Sequence, residues 1–301
     1  MITLIKRNIK AYTRDRTAFL MSFLSVLILL MLNQIFLGKL QVDGIKASMQ
    51  LDEVPSAVLQ MVNLWLVAGI TTVVCMTSTL GTYSVMIKDR EDKIDEDFAV
   101  SAFPHWKIEL AYMIAAVCLG VLITLVCFFA GLMIYVGFDS FSLFSFVAIG
   151  KIMGLIFLGC LLSSSLVMPI LAVIKTSSAF SSVSAITGSV IGFLAGVYIA
   201  IGAVGDLLGQ VMTWFPLTQI NTLLKTILME KSMVEVFKGA PSSAIETYKE
   251  NYGITLSAPN GHVLSELEMC LYVCVCIIGF IGLYLIIKNG HRMLKRKKQL
   301  K

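Results

Sequence analysis

The feature that most constrains this chain is the recurrence of long apolar runs. A bilayer hydrocarbon core about 30 Å thick is crossed by about 20 predominantly apolar residues in helical form. Six stretches reach that length: 18–37, 57–87, 108–136, 143–174, 178–203 and 267–288. With no water to satisfy backbone N–H and C=O groups at that depth, such runs are predicted to be helices. Hydrophobic residues make up 57% of the chain and charged ones 14%, well beyond the roughly 45–50% apolar content of soluble domains. The expected fold is therefore all-α and integral to the membrane, one domain over residues 1–301 with six transmembrane helices. Three of the runs exceed a simple crossing and are predicted to tilt, project or break.

The basic N-terminus precedes an apolar run that continues to Leu37. That run is too long for a signal-peptide core and lacks a small-residue cleavage site, so it reads as the first span. Orientation follows from Lys and Arg, which stay on the cytoplasmic side. With both termini inside, seventeen of the 24 basic residues are cytoplasmic and seven external. An even number of spans agrees with that count.

The segments between and beside the spans have their own patterns. In residues 1–16, Ile2, Ile5, Ile9 and Tyr12 recur at helical spacing, and Lys6, Arg7, Lys10 and Arg14 fall mostly elsewhere on the wheel. This predicts an interfacial helix in the headgroup layer. The tail 288–301, KNGHRMLKRKKQLK, reads as a basic cytoplasmic anchor attracted to anionic lipid. In the fifth run Gly188, Gly192 and Gly196 recur at four-residue intervals, a smooth ridge against which another helix can pack. Residues 204–266 read as external. Gly209, Pro216, Gln219 and Asn221 interrupt an apolar stretch there, which predicts two short re-entrant half-helices whose broken backbone must be satisfied by protein or water. An external loop is predicted from Glu230 to Glu266.

Between spans two and three stands KDREDKIDED, residues 88–97, nine of whose ten side chains are charged. In this topology it is cytoplasmic, its charges solvated. Ile94, Phe98 and Ala102 follow at helical spacing with Ala99 and Phe103 beside them, so 88–105 reads as a short amphipathic helix ended by Pro104. An exposed apolar ridge among charges suits a docking groove on a partner.

Other chemistries have little to stand on. All seven cysteines lie in apolar stretches; Cys270 and Cys274 share a helical face but have no accompanying His or further Cys pair for a metal. Ser163, Ser164 and Ser165 have no His in the same run and no G-x-S-x-G motif, and helical serines in lipid normally bond backbone carbonyls, so an intramembrane hydrolase is disfavoured. An ion-coupled secondary transporter needs ionisable groups near the bilayer midplane, and the six runs hold almost none. No G-x-x-x-x-G-K-[ST] phosphate loop occurs, so ATP chemistry of that kind is not expected in this chain.

Taken in order, the basic in-plane helix, RDRTAFL leading into span one, DREDKIDEDFAVSAFPHWKIELAY between spans two and three, and GFLAGVYIAIGAVGDLLGQVMTWFPLTQINTLLKTIL through span five and the external break resemble the ABC type-2 permeases, the membrane subunits of ABC exporters. The likeness covers essentially the whole chain. It implies a multi-pass protein of a bacterial-type cell membrane, with no catalysis of its own. Two permeases pair, as homodimer or heterodimer, and two copies of a separate ATPase subunit hold ATP and Mg. This chain itself binds no cofactor or metal, and nucleic acid is no partner. The resemblance assigns Ile94, Phe98 and Phe103 to the ATPase-docking face, flanked by Arg90, Glu91, Asp92 and Lys93. Six carboxylates between Asp89 and Asp97 imply a basic rim on that partner. Asn33, Gln34, Gln60, Asn63 and Tyr198 are candidates along the translocation path, with interhelical hydrogen bonding as the alternative role. The implied cargo is an amphipathic small molecule or peptide, a drug or antimicrobial peptide among the family's types, with lipid-linked polysaccharide as the alternative.

Overall fold

The structure, a computed structural model, describes residues 1–15, 42–43, 55–94, 104–137, 144–259 and 261–299. The expected first span at 18–37, with Asn33 and Gln34, lies outside the described residues, as do Phe98 and Phe103. The helices are α1 (Ile2–Arg14), α2 (Ser56–Thr82), α3 (Ser84–Glu91), α4 (His105–Tyr135), α5 (Phe146–Leu171) and α6 (Ser177–Leu194). They are followed by a 3-10 turn (Ile201–Ala203), α7 (Asp206–Trp214), α8 (Pro216–Val236), α9 (Ser242–Asn251) and α10 (Glu266–Gln299). Among the described residues the only extended pairing is one bridge, Ser257 to Val263.

Local chemistry sets where these helices begin. Pro55, Pro104 and Pro241 stand immediately before α2, α4 and α9, and Pro216 is the first residue of α8. Proline suits a helix start, where its missing N–H would have no helical acceptor. Ser145 and Thr176 accept the backbone N–H of Ala148 (3.2 Å) and Ala179 (3.3 Å), capping α5 and α6. At the start of α10, Ser265 Oγ accepts the Glu268 N–H at 3.3 Å and the Glu268 carboxylate accepts the Ser265 N–H at 2.8 Å, a reciprocal capping box.

Five described helices are long and apolar enough to cross a membrane: Ser56–Glu91, Trp106–Tyr135, Phe146–Leu171, Ser177–Leu194 and Glu266–Gly290. The second expected span owes its excess length to α3, which continues α2 past a turn at Tyr83. Thirty-six residues of helix reach about 54 Å at 1.5 Å per residue, so the end projects beyond a 30 Å core. α10 likewise runs on into the basic tail.

α2 lies at the centre, packed against α4, α5, α6 and α8. Four of its buried hydroxyls are turned back on the helix itself. Thr71, Thr72, Ser78 and Thr82 donate to the carbonyls of Val67, Ala68, Val74 and Ser78 at 2.6–3.0 Å, which lets polar residues sit in an apolar bundle. Neighbours approach closely where they lack a side chain. A Cβ at Gly120 of α4 would overlap Thr79 Oγ1, and one at Gly159 of α5 would stand 3.2 Å from Cys75 Sγ. Ser163 and Ser165 donate to the carbonyls of Gly159 (2.7 Å) and Leu162 (2.8 Å), and Ser164 shares a 2.6 Å bond with the buried Tyr83 hydroxyl. All three serines thus have structural partners.

Three expectations need correction. The fifth span ends at Leu194 rather than 203, because Gly196 turns the chain out of the helix at φ +65°. The second external half-helix is not short: α8 has 21 residues and packs against α2, α5 and α10. The stretch 230–266 is not simply a loop, since α8 continues to Val236 and α9 follows. Gln219 and Asn221, expected to interrupt the stretch, are buried within a continuous helix, as is Lys225.

Gly120→Val is expected to lower the thermal unfolding temperature of the detergent-purified protein, at a cost of about 1–3 kcal/mol for overpacking a tight contact. Gly188→Ala, with nothing within 4 Å of the added methyl, should leave it unchanged. Equal behaviour of the two variants would remove the close α2–α4 crossing from the account.

Candidate functional site

The charged run begins inside α3, and its first residues are not all solvated as the sequence suggested. Asp89 is only 4% exposed. It accepts both arms of the Arg7 guanidinium from α1, the Nη2 bond being 2.7 Å, and also the Tyr112 hydroxyl from α4. A buried carboxylate is tolerated when charged and hydrogen-bonded partners replace water. Hydrogen bonding to Asp89, then its charge, holds the Arg7 proton still more firmly than usual. The in-plane helix α1 is thereby fastened to the bundle, with Asn8 and Tyr12 buried beside the pair.

The next two residues reach other helices. Arg90 donates to the carbonyls of Leu171 (2.6 Å) and Ile174 (3.2 Å), where α5 ends. Glu91 accepts the Ser177 N–H at 3.1 Å and the Ser177 hydroxyl, where α6 begins. Both signs match the helix ends they meet, cation at the carbonyl end and anion at the amide end. Three consecutive side chains therefore tie α3 to α1, α4, α5 and α6. Nearby, Lys288 of α10 pairs with Glu109 of α4.

Of the five described residues expected at the docking face, Arg90 and Glu91 are engaged in these internal contacts. Asp92 and Lys93 are exposed and Ile94 is half-buried. Lys93 has φ +61°, a left-handed conformation that ends α3 and redirects the chain.

Two of the path candidates, Asn63 and Tyr198, have structural partners. Asn63 Nδ2 donates to the Tyr135 carbonyl at 2.7 Å, joining α2 to the far end of α4. The Tyr198 ring lies over Gly192 and meets Phe193 edge-on at 5.1 Å. Gln60 is half-buried near the start of α2. The glycine ridge divides in the same way. Gly192 makes room for Tyr198 within the chain, Gly196 lies beyond the helix, and only Gly188 is open on its face.

At the opposite end from the charged cluster, α8 carries a polar face that sequence reasoning missed. Thr218, Asn221 and Lys225 donate to the successive carbonyls of Leu194 (2.9 Å), Ala195 (2.7 Å) and Gly196 (3.2 Å) at the end of α6. Lys225, Thr222 and Thr226 donate to Tyr252 (3.0 Å), Gly253 (2.9 Å) and Ile254 (3.1 Å), just past α9. One helix thus satisfies carbonyls that two other helix ends leave without intrahelical donors. Lys225 is 1% exposed, and its Nζ stands 4.4 Å from the Trp65 ring centroid. Burial pushes its ammonium down to about 7. The spacing Thr218, Asn221, Thr222, Lys225, Thr226 was a visible helical stripe, but a polar stripe usually faces water. Trp214 and Tyr272 join the α7–α8 turn to α10, the Tyr272 hydroxyl donating to the Trp214 carbonyl at 2.6 Å.

A family profile described as ABC-2 family transporter protein matches residues 5–287. The chain belongs to the ABC-2 transporter family. Comparison with curated proteins finds no match. Membership makes this ABC-2 protein a membrane-embedded, multi-pass component of an ABC transporter, a transport subunit of a family that typically works with an ATPase partner.

Asp89→Ala is expected to destabilise the ABC-2 protein by about 1–3 kcal/mol. This is less than the roughly 3–5 kcal/mol for a wholly buried pair, because Arg7 keeps a third of its side chain in solvent. Arg7→Met combined with Asp89→Leu should recover part of that loss in thermal unfolding; strict additivity of the single variants would mean that the two groups do not interact. For Lys225 the unfolded chain binds the extra proton between its ordinary pKa near 10.4 and the folded value. Stability is then expected to rise with pH from 7 to 9, by up to about 1.4 kcal/mol per unit, relative to Lys225→Met. Parallel unfolding profiles of the two proteins would contradict it.

Proposed function

We propose that this chain is the membrane-spanning permease subunit of an ABC exporter, driven by ATP hydrolysis in a separate ATPase subunit. The observation that carries the reading is the attachment of Asp89, Arg90 and Glu91 to α1, α4, α5 and α6 immediately before the segment expected to dock. A push on residues 92–103 is delivered to a point fastened to four helices, not to a loose loop. Asp92, Lys93 and Ile94, with Phe98 and Phe103, form the docking face. Arg90 and Glu91 transmit rather than bind. The positive-inside count supports a cytoplasmic location for this end, both termini and the basic tail.

Two such permeases, identical or different, pair and engage two ATPase copies, which hold ATP and Mg. Closure of the ATPases moves the docking segments and changes access from inside to outside. The open side of α6, with Ile186, Val190 and Phe193 at 43–64% exposure and Gly188 uncrowded, supports its place, with the first span, at the permease pair. Re-entrant placement of α7 and α8 is supported by the capping of the broken backbone by α8 side chains. The cargo proposed is an amphipathic small molecule or peptide, delivered from the cytoplasmic side or inner leaflet. Lipid-linked polysaccharide is the alternative class that the transport test distinguishes.

Phe98→Asp is expected to reduce co-purification of the ATPase subunit at least tenfold and to abolish ATP-dependent export, with membrane insertion intact. Arg90→Ala should keep ATPase binding but lower export per ATP hydrolysed. Unchanged binding in Phe98→Asp would remove the docking assignment. Transport driven by a proton gradient with no ATPase present would replace the reading with a secondary transporter.

A further inference from the structure

The end of the bundle opposite the charged cluster holds a cavity of about 630 Å³ between the last turns of α8, α9 and the start of α10. Its floor is apolar: Met233, Phe237, Ile254 and Met269 are each no more than 7% exposed. Its rim carries the carboxylates of Glu230 and Glu266, both exposed. Neither is in an ion pair among the described residues. One cation, Lys249, shares the lining, so the cavity has a carboxylate in excess.

The surroundings carry the same sign. From Glu230 to Glu268 the chain has six glutamates and three lysines, in a protein whose net charge is +5. A cavity of drug-sized volume with an apolar floor and a few placed polar groups is the usual form of a small-molecule site. An aromatic ring and two thioethers in the floor favour a polarisable body, and Phe237, tilted at 52° against Tyr248 with ring centroids 5.1 Å apart, presents a ring to positive charge. The acidic rim selects against anions and leaves a monovalent organic cation as the best-matched occupant.

We propose that this cavity is a binding site for amphipathic organic cations with aromatic or aliphatic arms, each permease chain carrying its own copy. The site lies outside the candidate path and shares no residue with the docking face. It is built by one chain, so occupancy needs neither a second permease nor nucleotide.

The test is saturation binding of labelled tetraphenylphosphonium to the full-length protein in lipid nanodiscs, without nucleotide, with counts from empty nanodiscs subtracted. Tetraphenylborate, of nearly the same size and opposite charge, is the control. One saturable site per chain is expected, preferring the cation. Glu230→Gln with Glu266→Gln should weaken cation binding at least tenfold and erase the preference between the two ions. Val234→Trp, at a 74% exposed position on the cavity wall, should obstruct the site without burdening the core. Absence of saturable binding, equal affinity for the two ions, or affinity unchanged in the double glutamine variant would each overturn the proposal. Phe98→Asp is expected to leave this binding intact, so failure of the docking reading and failure of the cation site are read separately.

Discussion

Asp89 is the constraint on which the lower half of the structure depends. A carboxylate at the end of a central apolar helix cannot be left dry and alone, so it needs donors from its neighbours. Arg7 and Tyr112 supply them, and in doing so fix α1 and α4 to α3. Once that register is set, Arg90 and Glu91 fall at the ends of α5 and α6, where helix termini offer matching partial charges. Three consecutive residues of the charged run, Asp89, Arg90 and Glu91, therefore give the bundle its fixed corner.

The outer half solves a different problem with neutral polar groups. Helices that stop within the protein leave carbonyls without donors, and at α6 and α9 these lie against a third helix instead of water. α8 meets them with threonines, an asparagine and one lysine along a single face. This explains why so polar a helix is among the most buried elements. Its side chains serve as caps, and its apolar residues, Leu217, Ile220, Leu224 and Leu228, pack against the spans.

Much of this was legible where one residue or one run decides the matter. Apolar length marks the spans, whereas Pro104 and Pro216, expected to end or interrupt helices, stand at the starts of α4 and α8, because a proline disfavours helix before it and suits the first turn after it. Serines in the fifth helix were read as structural for the same local reason. The failures are long-range. That Asp89 is buried follows from Arg7, 82 residues earlier, and no periodicity encodes that meeting. The glycine ridge kept its spacing on paper, yet Gly196 takes a positive φ that only the folded turn discloses. Lys225 looked like one more external lysine because burial of a cation depends on carbonyls from two distant helix ends.

The two halves are joined by α2. At one end it continues into α3 and the fastened charges. At the other, Trp65 donates to the Tyr252 carbonyl at 2.9 Å, the same carbonyl that Lys225 holds. Between them Thr71, Thr72, Thr77, Ser78 and Thr82 bond its own backbone, and small residues on α4 and α5 bring neighbours close. A densely packed helix of this kind resists local deformation, so displacement at one end is more readily relieved by tilt or shift of the whole element than by bending. The least buried spans are α6 and α10, which leave most of their apolar surface uncovered. That division sets a densely packed central rod between two polar clamps, in contact with α8, whose last turns form one wall of the outer cavity.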